Sequence, residues 1–333
     1  MTSPLSAFIL IAFLALCQCD KLGDGVPEKV PGQLWTPGIN SRFAKMTSEE
    51  RKRYLGSIPT PVPTPDDMMA EATKPSQLPE VFNATAAWPK CARIINTVRD
   101  QGGCQSCWAS AAAAAMSDLT CIKCDGKVSP YLSDQDLLTC CWNCGTCEHG
   151  GRVDYAFEYW KEDGLVTGGA YDSNQGCQPY TIGSQLSATP SCNQTCGSWY
   201  PYTYHEDKHK GAVYQIIHNE DQMKIAIYSY GPIVATNFNV FTDFQTNYKD
   251  GIYHHVSGKF EGLHAVKVIG WGVDGNEPYW LAVNSWGTDW GMHGFFKIRR
   301  GNNECQFESS AVQGQASEEA CFFQVIIAIR SSS

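Results

Sequence analysis

Positive charge is scarce in this chain: 25 Lys and Arg stand against 34 Asp and Glu over 333 residues, a formal net charge of -9. The densest basic stretch is Arg51-Lys52-Arg53, which argues against a general affinity for phosphate backbones or anionic membranes. Neither nucleic acid nor a membrane surface is expected as a partner. Without a basic stripe, the 10 Trp and 15 Tyr read as core or groove walls rather than base-stacking platforms. Long apolar runs are missing too. The run Ala7 to Leu16 is too short to cross a bilayer, and Val325 to Ile329 suits a buried strand. No internal repeat or low-complexity tract is visible.

With 43% apolar residues the chain can bury a substantial core, and disorder is not expected. The run near the start ends in small residues at Cys17 and Cys19, so residues 1–19 read as a signal peptide. The absence of Lys or Arg ahead of it leaves an uncleaved anchor as the alternative. Two of the 16 Cys lie in this leader, leaving 14 in a chain bound for an oxidising compartment, where pairing is the default. The cluster Cys140, Cys141, Cys144, Cys147 has iron-sulfur or zinc spacing, but behind a leader and with no paired His nearby a disulfide framework is the better reading. Metal and cofactor are therefore expected to be absent. The sequons at Asn83 and Asn193 point to the same lumen as glycosylation sites.

Residues 20–77 are polar and broken by eight prolines between Pro27 and Pro75, too poor in apolar residues for a core of their own. They read as a pro-segment. Within it Thr47-Ser48-Glu49-Glu50 is a capping box that opens a short helix, with Gly56 as its stop. From Leu78 the composition is that of a folded domain. Ser106 to Leu119 is the clearest helix, since Ala111 to Ala115 have the highest helix propensity. Beyond residue 210 short apolar runs predominate, including Ile233 to Ala235, Ala265 to Ile269, Tyr279 to Val283 and Phe295 to Ile298, with turn signals such as Asp274-Gly275 between them. That half reads as mostly β.

Cleaving an amide through sulfur requires a thiolate, a proton relay and donors for the oxyanion. Cys107 at a helix N-terminus meets unpaired N–H groups and the positive dipole end, both of which favour the thiolate. Gln101 can aim its side-chain amide at the oxyanion beside the Cys107 N–H. Alone, Cys107 would be read as one more disulfide partner and His264 as a core histidine. Together with Asn284 they read as nucleophile, base and orienter, because an Asn oxygen fixes the imidazole tautomer without adding charge. Trp286 is placed to shield that bond.

Cys104-Gln105-Ser106-Cys107-Trp108, followed 157 and 177 residues after Cys107 by His264 and Asn284, resembles the active-site pattern of papain-family cysteine proteases. The nearer likeness is to cathepsin B. It extends through Trp35 to Asn40, Leu78-Pro79, Asp136 to Cys141, Gly176 to Tyr180, Asp207-Lys208-His209 and Gly270-Trp271-Gly272, covering most of residues 78–312. The resemblance implies an α+β, papain-like two-lobed fold in a peptidase domain 78–333. Its helical left lobe would lie mainly in 90–210 and its β-barrel-like right lobe mainly in 211–312.

It also implies a cysteine peptidase made as a zymogen, acting on protein or peptide substrates and inhibited by its own pro-segment and by cystatin-type inhibitors. The implied setting is lysosomal or secreted, as a monomer. Substrate-binding residues carried over are Gly150, Gly151, Ala265, Trp286 and Ser310. The implied disulfides are Cys91–Cys121, Cys104–Cys147, Cys140–Cys192, Cys141–Cys144 and Cys177–Cys196, with Cys124, Cys305 and Cys321 unassigned.

The chain departs from that pattern in several places. Cathepsin B binds a substrate's C-terminal carboxylate with adjacent His residues in an occluding loop, whereas Gln178 to Thr195 contains no His. An anionic chain end needs a cationic donor, so internal cleavage is expected to dominate. Ser310 stands where an acidic residue accepts Arg at P2, so apolar P2 side chains are expected. Gln105 replaces a Gly beside the cleft, and Cys147-Glu148-His149-Gly150-Gly151 alters the next wall, where a solvated loop is the plainer reading of Glu148 and His149. The tail from Gln315 to Ser333 runs past the family's usual end. Two rival readings remain: a protease-like binding protein without activity, which would normally have lost Cys107, and a thiol acyltransferase, which the surrounding motifs do not support.

Overall fold

The structure, a computed structural model, describes residues 27–60, 77–185 and 188–322. The proposed leader, residues 61–76 and the apolar run Val325 to Ile329 lie outside the described residues.

One helix organises the first lobe. Cys107–Lys123 is buried over Cys107 to Cys121, and the alanines that favour the helix also let strands and helices approach it closely from all sides. Asp134–Cys140 and Val153–Glu162 pack beside it. Their shared core includes Trp108, Met116, Leu137, Phe157 and Trp160, together with Val234, Ala265 and Val312 from the sheet.

The second lobe is a twisted sheet. In spatial order its strands are Trp35–Pro37, Tyr248–Tyr253, Phe295–Arg299, Glu277–Val283, Phe260–Asp274, Ile233–Phe241, Ala311–Ala316 and Gly211–Ile217, with Phe82–Asn83 pairing onto Phe260–Asp274. The short apolar runs seen in the sequence lie inside these strands. Among the described residues the sheet path stays open and no closed barrel forms; the papain-like α+β fold with a helical and a β-rich lobe is the one the resemblance implied.

The two lobes are joined through charge as well as packing. Lys267, three residues after His264 on its strand, places Nζ 2.7 Å from Asp118 Oδ2 on the central helix, both buried. Lys267 also donates to the Ile95 carbonyl at 2.9 Å. A buried pair of this kind is strongly destabilising to break, which fixes the helix that carries Cys107 against the strand that carries His264.

Residues 27–60 have no core of their own, as their composition implied. Trp35, Phe43, Tyr54 and Leu55 are instead buried in the core of the β-rich lobe. Each such burial stabilises by about 1.5–3 kcal/mol. Trp35–Pro37 adds an antiparallel edge strand to Tyr248–Tyr253. Thr47 caps Ser48–Lys52 in a full capping box with Glu50. Gly56 does not stop this helix, which ends at the Arg53 cap; it lies three residues farther on, in the cleft.

Among the described residues six disulfides are formed: Cys91–Cys121, Cys104–Cys147, Cys140–Cys192, Cys141–Cys144, Cys177–Cys196 and Cys124–Cys321. The last ties the C-terminal turn Glu318–Cys321 to the end of the central helix. Cys107 and Cys305 are free thiols. No helix among the described residues is long and apolar enough to cross a membrane.

Candidate active site

Cys107 is the first residue of the central helix. Its N-cap, Ser106, uses its hydroxyl on Tyr180 Oη at 2.8 Å instead of capping the helix, so the first N–H groups remain directed toward the sulfur. The backbone N–H groups of Ala265, Gly56, Trp108 and Cys107 itself act on the sulfur in favour of its thiolate. Ala265 directly follows His264, so Cys107 lies against the strand of the opposite lobe that carries His264.

His264 Nε2 is 2.8 Å from Asn284 Oδ1. That oxygen also accepts the Ser285 N–H at 2.8 Å, so it acts as acceptor and the imidazole donates from Nε2. The other ring nitrogen, Nδ1, is buried without a hydrogen-bond partner. Trp286 stacks on the imidazole with centroids 4.7 Å apart and planes at 25°, and it seals the His264–Asn284 bond from water.

Gln101 is buried, with Oε1 accepting from Ser285 Oγ at 2.6 Å. This fixes the amide so that Nε2 donates to the carbonyls of Cys104 at 2.8 Å and Tyr54 at 3.3 Å. Trp286 Nε1 donates to the same Tyr54 carbonyl, also at 3.3 Å. A carbonyl of the N-terminal segment therefore holds the donor that would face an oxyanion.

That segment fills the cleft as backbone. Gly151 N–H donates to Gly56 O at 2.7 Å, Ile58 N–H donates to Gly151 O at 2.9 Å, and Ser57 N–H donates to Leu263 O at 3.2 Å. Gly150 and Gly151 thus form one wall and Leu263 the other. Ser57 Oγ donates to the Thr236 carbonyl at 2.5 Å. Thr236 N–H in turn donates to Ser310 O at 3.0 Å, which puts Ser310 directly behind the wall that Ser57 touches. Ser310 is buried and its Oγ has no partner.

Burial controls the protonation of the pair. It pushes the Cys107 thiol up to about 11, against the surrounding N–H groups that favour the thiolate. It pushes His264 down to about 4, with the Asn284 bond acting the other way. The helix N-terminus was expected to favour the thiolate; with Gly56 seated on the sulfur, loss of water outweighs it.

Gln105 donates to the Glu148 carbonyl at 3.0 Å, and the Glu148 carboxylate accepts from Thr189, so Gln105 braces the wall at Glu148 and Glu148 ties that wall to the loop between Cys177 and Cys192. His149 is exposed. Cys140, Cys141, Cys144 and Cys147 are all committed to disulfides. Asn193 is exposed, whereas Asn83 is half-buried and caps Ala84–Ala87 through the Thr85 N–H at 2.8 Å. Sequence reasoning missed Leu263, Tyr54 and Gly56, because their roles are played by backbone atoms. The one available signal for Leu263 was its place directly before His264.

Comparison with known proteins gives one consistent answer. A family described as "Papain family cysteine protease" matches residues 78–315. A cathepsin B-like cysteine proteinase of Schistosoma japonicum is 42% identical over 253 residues, 72% of this chain and 73% of that protein. A gut-specific cysteine proteinase of Caenorhabditis elegans is 39% identical over 306 residues, 87% of this chain and 92% of that protein. Among solved structures, procathepsin B S9 from Trypanosoma congolense superposes with a TM-score of 0.73 at 34% identity, covering 85% of this chain and 94% of that one.

Proposed function

Because the chain belongs to the papain family of cysteine proteases and is cathepsin B-like, we propose that it is made as a zymogen whose matured form cuts inside polypeptide chains, with Cys107 as nucleophile. The observation that carries this assignment is the His264 Nε2 to Asn284 Oδ1 bond of 2.8 Å with Nδ1 left unpaired, on the strand whose Ala265 N–H favours the Cys107 thiolate.

In the matured enzyme the Cys107 thiolate attacks the scissile carbonyl carbon. The resulting oxyanion takes hydrogen bonds from Gln101 Nε2 and the Cys107 N–H. Protonated His264 donates from Nδ1 to the departing amine and leaves a thioester on Cys107. Neutral His264 then takes a proton from water, which attacks the thioester and releases the acid. Asn284 holds the ring orientation throughout.

Residues 20–77 act as the inhibitory pro-segment, of which 27–60 lie along the peptidase. Inhibition follows from orientation. The Gly56 carbonyl is held by the Gly151 N–H and the Gly56 N–H favours the Cys107 thiolate, so the segment offers the nucleophile a donor and not a carbonyl carbon. Tyr54 O occupies the Gln101 amide.

Endopeptidase action is supported by the loop between Cys177 and Cys196, which carries no His to bind a C-terminal carboxylate. Dipeptide release from a free C-terminus at a rate above internal cleavage would refute it. A lysosomal or secreted setting is supported by the disulfides, and exposed Asn193 is the better-placed glycan acceptor. The activity is tested by labelling the matured protein with an epoxide thiol inhibitor. Wild type takes the label and cleaves denatured protein, and Cys107→Ala does neither; equal labelling of both would overturn the assignment.

A further inference from the structure

Arg42 of the pro-segment grips the peptidase through a carboxylate that the proposed mechanism does not use. Its Nη1 and Nη2 donate to Asp100 Oδ1 and Oδ2 at 2.8 and 2.6 Å, the two-pronged geometry that makes guanidinium–carboxylate pairs selective. The remaining hydrogen bond to this carboxylate comes from the Gly102 N–H at 3.1 Å. Burial works against the Arg42 charge, and Asp100, with Asp289 farther out, more than offsets it.

Asp100 stands at a defined place in the cleft. It directly precedes Gln101 and bridges to Trp286, the residue stacked on His264. In acyl transfer the departing amine must lie against the imidazole that protonates it. The leaving-group half of a substrate therefore extends past His264 and Trp286, away from the Gly150–Gly151 wall. Phe43, the neighbour of Arg42, packs on Trp286 with centroids 5.0 Å apart, so the same spot offers an apolar shelf beside the carboxylate.

Once the pro-segment departs, Asp100 keeps only the Gly102 N–H of these three bonds. We propose that Asp100 is a specificity-determining residue that accepts the side chain of an arginine, or less well a lysine, at the first or second position after the scissile bond. The stem of such a residue lies over Trp286 as Phe43 does, and its charge takes the place of Arg42. A substrate's C-terminal carboxylate would be repelled there, in keeping with internal cleavage. This inference deepens the proteolytic reading above and rests on it.

The test compares internally quenched peptides that differ only in arginine or citrulline, its neutral isostere, at each of these two positions, cut by the matured enzyme. At one position kcat/KM should favour arginine by about tenfold or more, as expected for a charge-assisted bidentate bond, and the ratio should shrink with added salt. Asp100→Asn should bring the ratio close to one and Asp100→Glu should retain most of it; because each ratio is taken within one enzyme, active fraction does not enter. Cleavage of both peptides at equal rates by wild type, or an arginine preference that survives in Asp100→Asn, overturns the inference. Cleavage of neither peptide overturns the proteolytic reading and this proposal with it.

Discussion

Gly56 and Gly150 face each other with no room for a side chain on either. A Cβ on Gly150 would lie 2.2 Å from the Gly56 carbonyl oxygen, and one on Gly56 would lie 2.2 Å from the Gln105 carbonyl oxygen. Both obstacles are backbone and cannot rotate away. Gly56→Ala is therefore expected to lift the pro-segment off the sulfur. A peptide of residues 27–60 added to matured enzyme should inhibit it, and the same peptide with Gly56→Ala should bind about tenfold or more weakly, the scale of one overpacked methyl. Equal inhibition constants would show that Gly56 is not the point of contact.

Burial of Cys107 and His264 beneath that glycine leaves both neutral through the mildly acid range. A thiol pushed to about 11 is almost entirely protonated at pH 6. In the full-length protein, alkylation at Cys107 should be slower than in the matured enzyme by a factor on the order of 100. Its rate should keep climbing with pH above 8. The measurement is mass-spectrometric quantification of the Cys107 peptide, which separates it from free Cys305. A plateau near neutral pH in the full-length protein would mean that the ion pair already exists under the pro-segment.

The make-up of the candidate site was legible because it resides in side-chain types at local positions. Cys107 opens an alanine-rich helix, His264 sits on an apolar strand, and Asn284 ends one. What stayed hidden depends on distant segments meeting. The Cys124–Cys321 bond joins residues 197 apart, and nothing near Cys124 distinguishes Cys321 from Cys305 as its partner. Asp118 on the central helix and Lys267 on the His264 strand carry no local mark of their pairing, which arises only when the lobes close. The open sheet arises from strand order, which periodicity does not encode. Gly56 looked like a helix stop, since a glycine needed for close approach and one needed for a cap are identical in sequence.

Arg51 and Glu261 form another ionic contact between pro-segment and peptidase, with Nη2 and Oε1 2.7 Å apart. Glu261 also accepts from Ser48 Oγ at 2.5 Å and Thr242 Oγ1 at 2.8 Å. Burial pushes its carboxyl up, but the bonds from Ser48, Arg51 and Thr242 together outweigh burial and hold it below the usual 4.5. A carboxyl lowered by docking contributes grip that is complete above its undocked value and is lost as pH falls through the docked one. Pro-segment affinity should therefore decline below about pH 4.5. In Glu261→Gln it should be weaker at pH 6, with less further decline on acidification. Identical pH profiles for the two proteins would remove Glu261 from the release step.

Ser310 shapes the other half of the cleft. It is buried behind Thr236, whose carbonyl receives the Ser57 hydroxyl, and its own Oγ lacks a partner. A guanidinium entering there would find no counter-charge and would bear the cost of an unpaired buried ion. Fluorogenic substrates with Phe at P2 should thus outperform those with Arg. Ser310→Glu should raise kcat/KM for Arg at P2 by about tenfold or more relative to Phe. A carboxyl introduced into this buried spot will itself have a raised pKa, so the gain should appear as pH rises and fade under acid conditions, where the carboxyl is neutral. If Arg at P2 is already favoured in wild type, or if Ser310→Glu leaves the ratio unchanged at every pH, the side chain at 310 does not face the substrate.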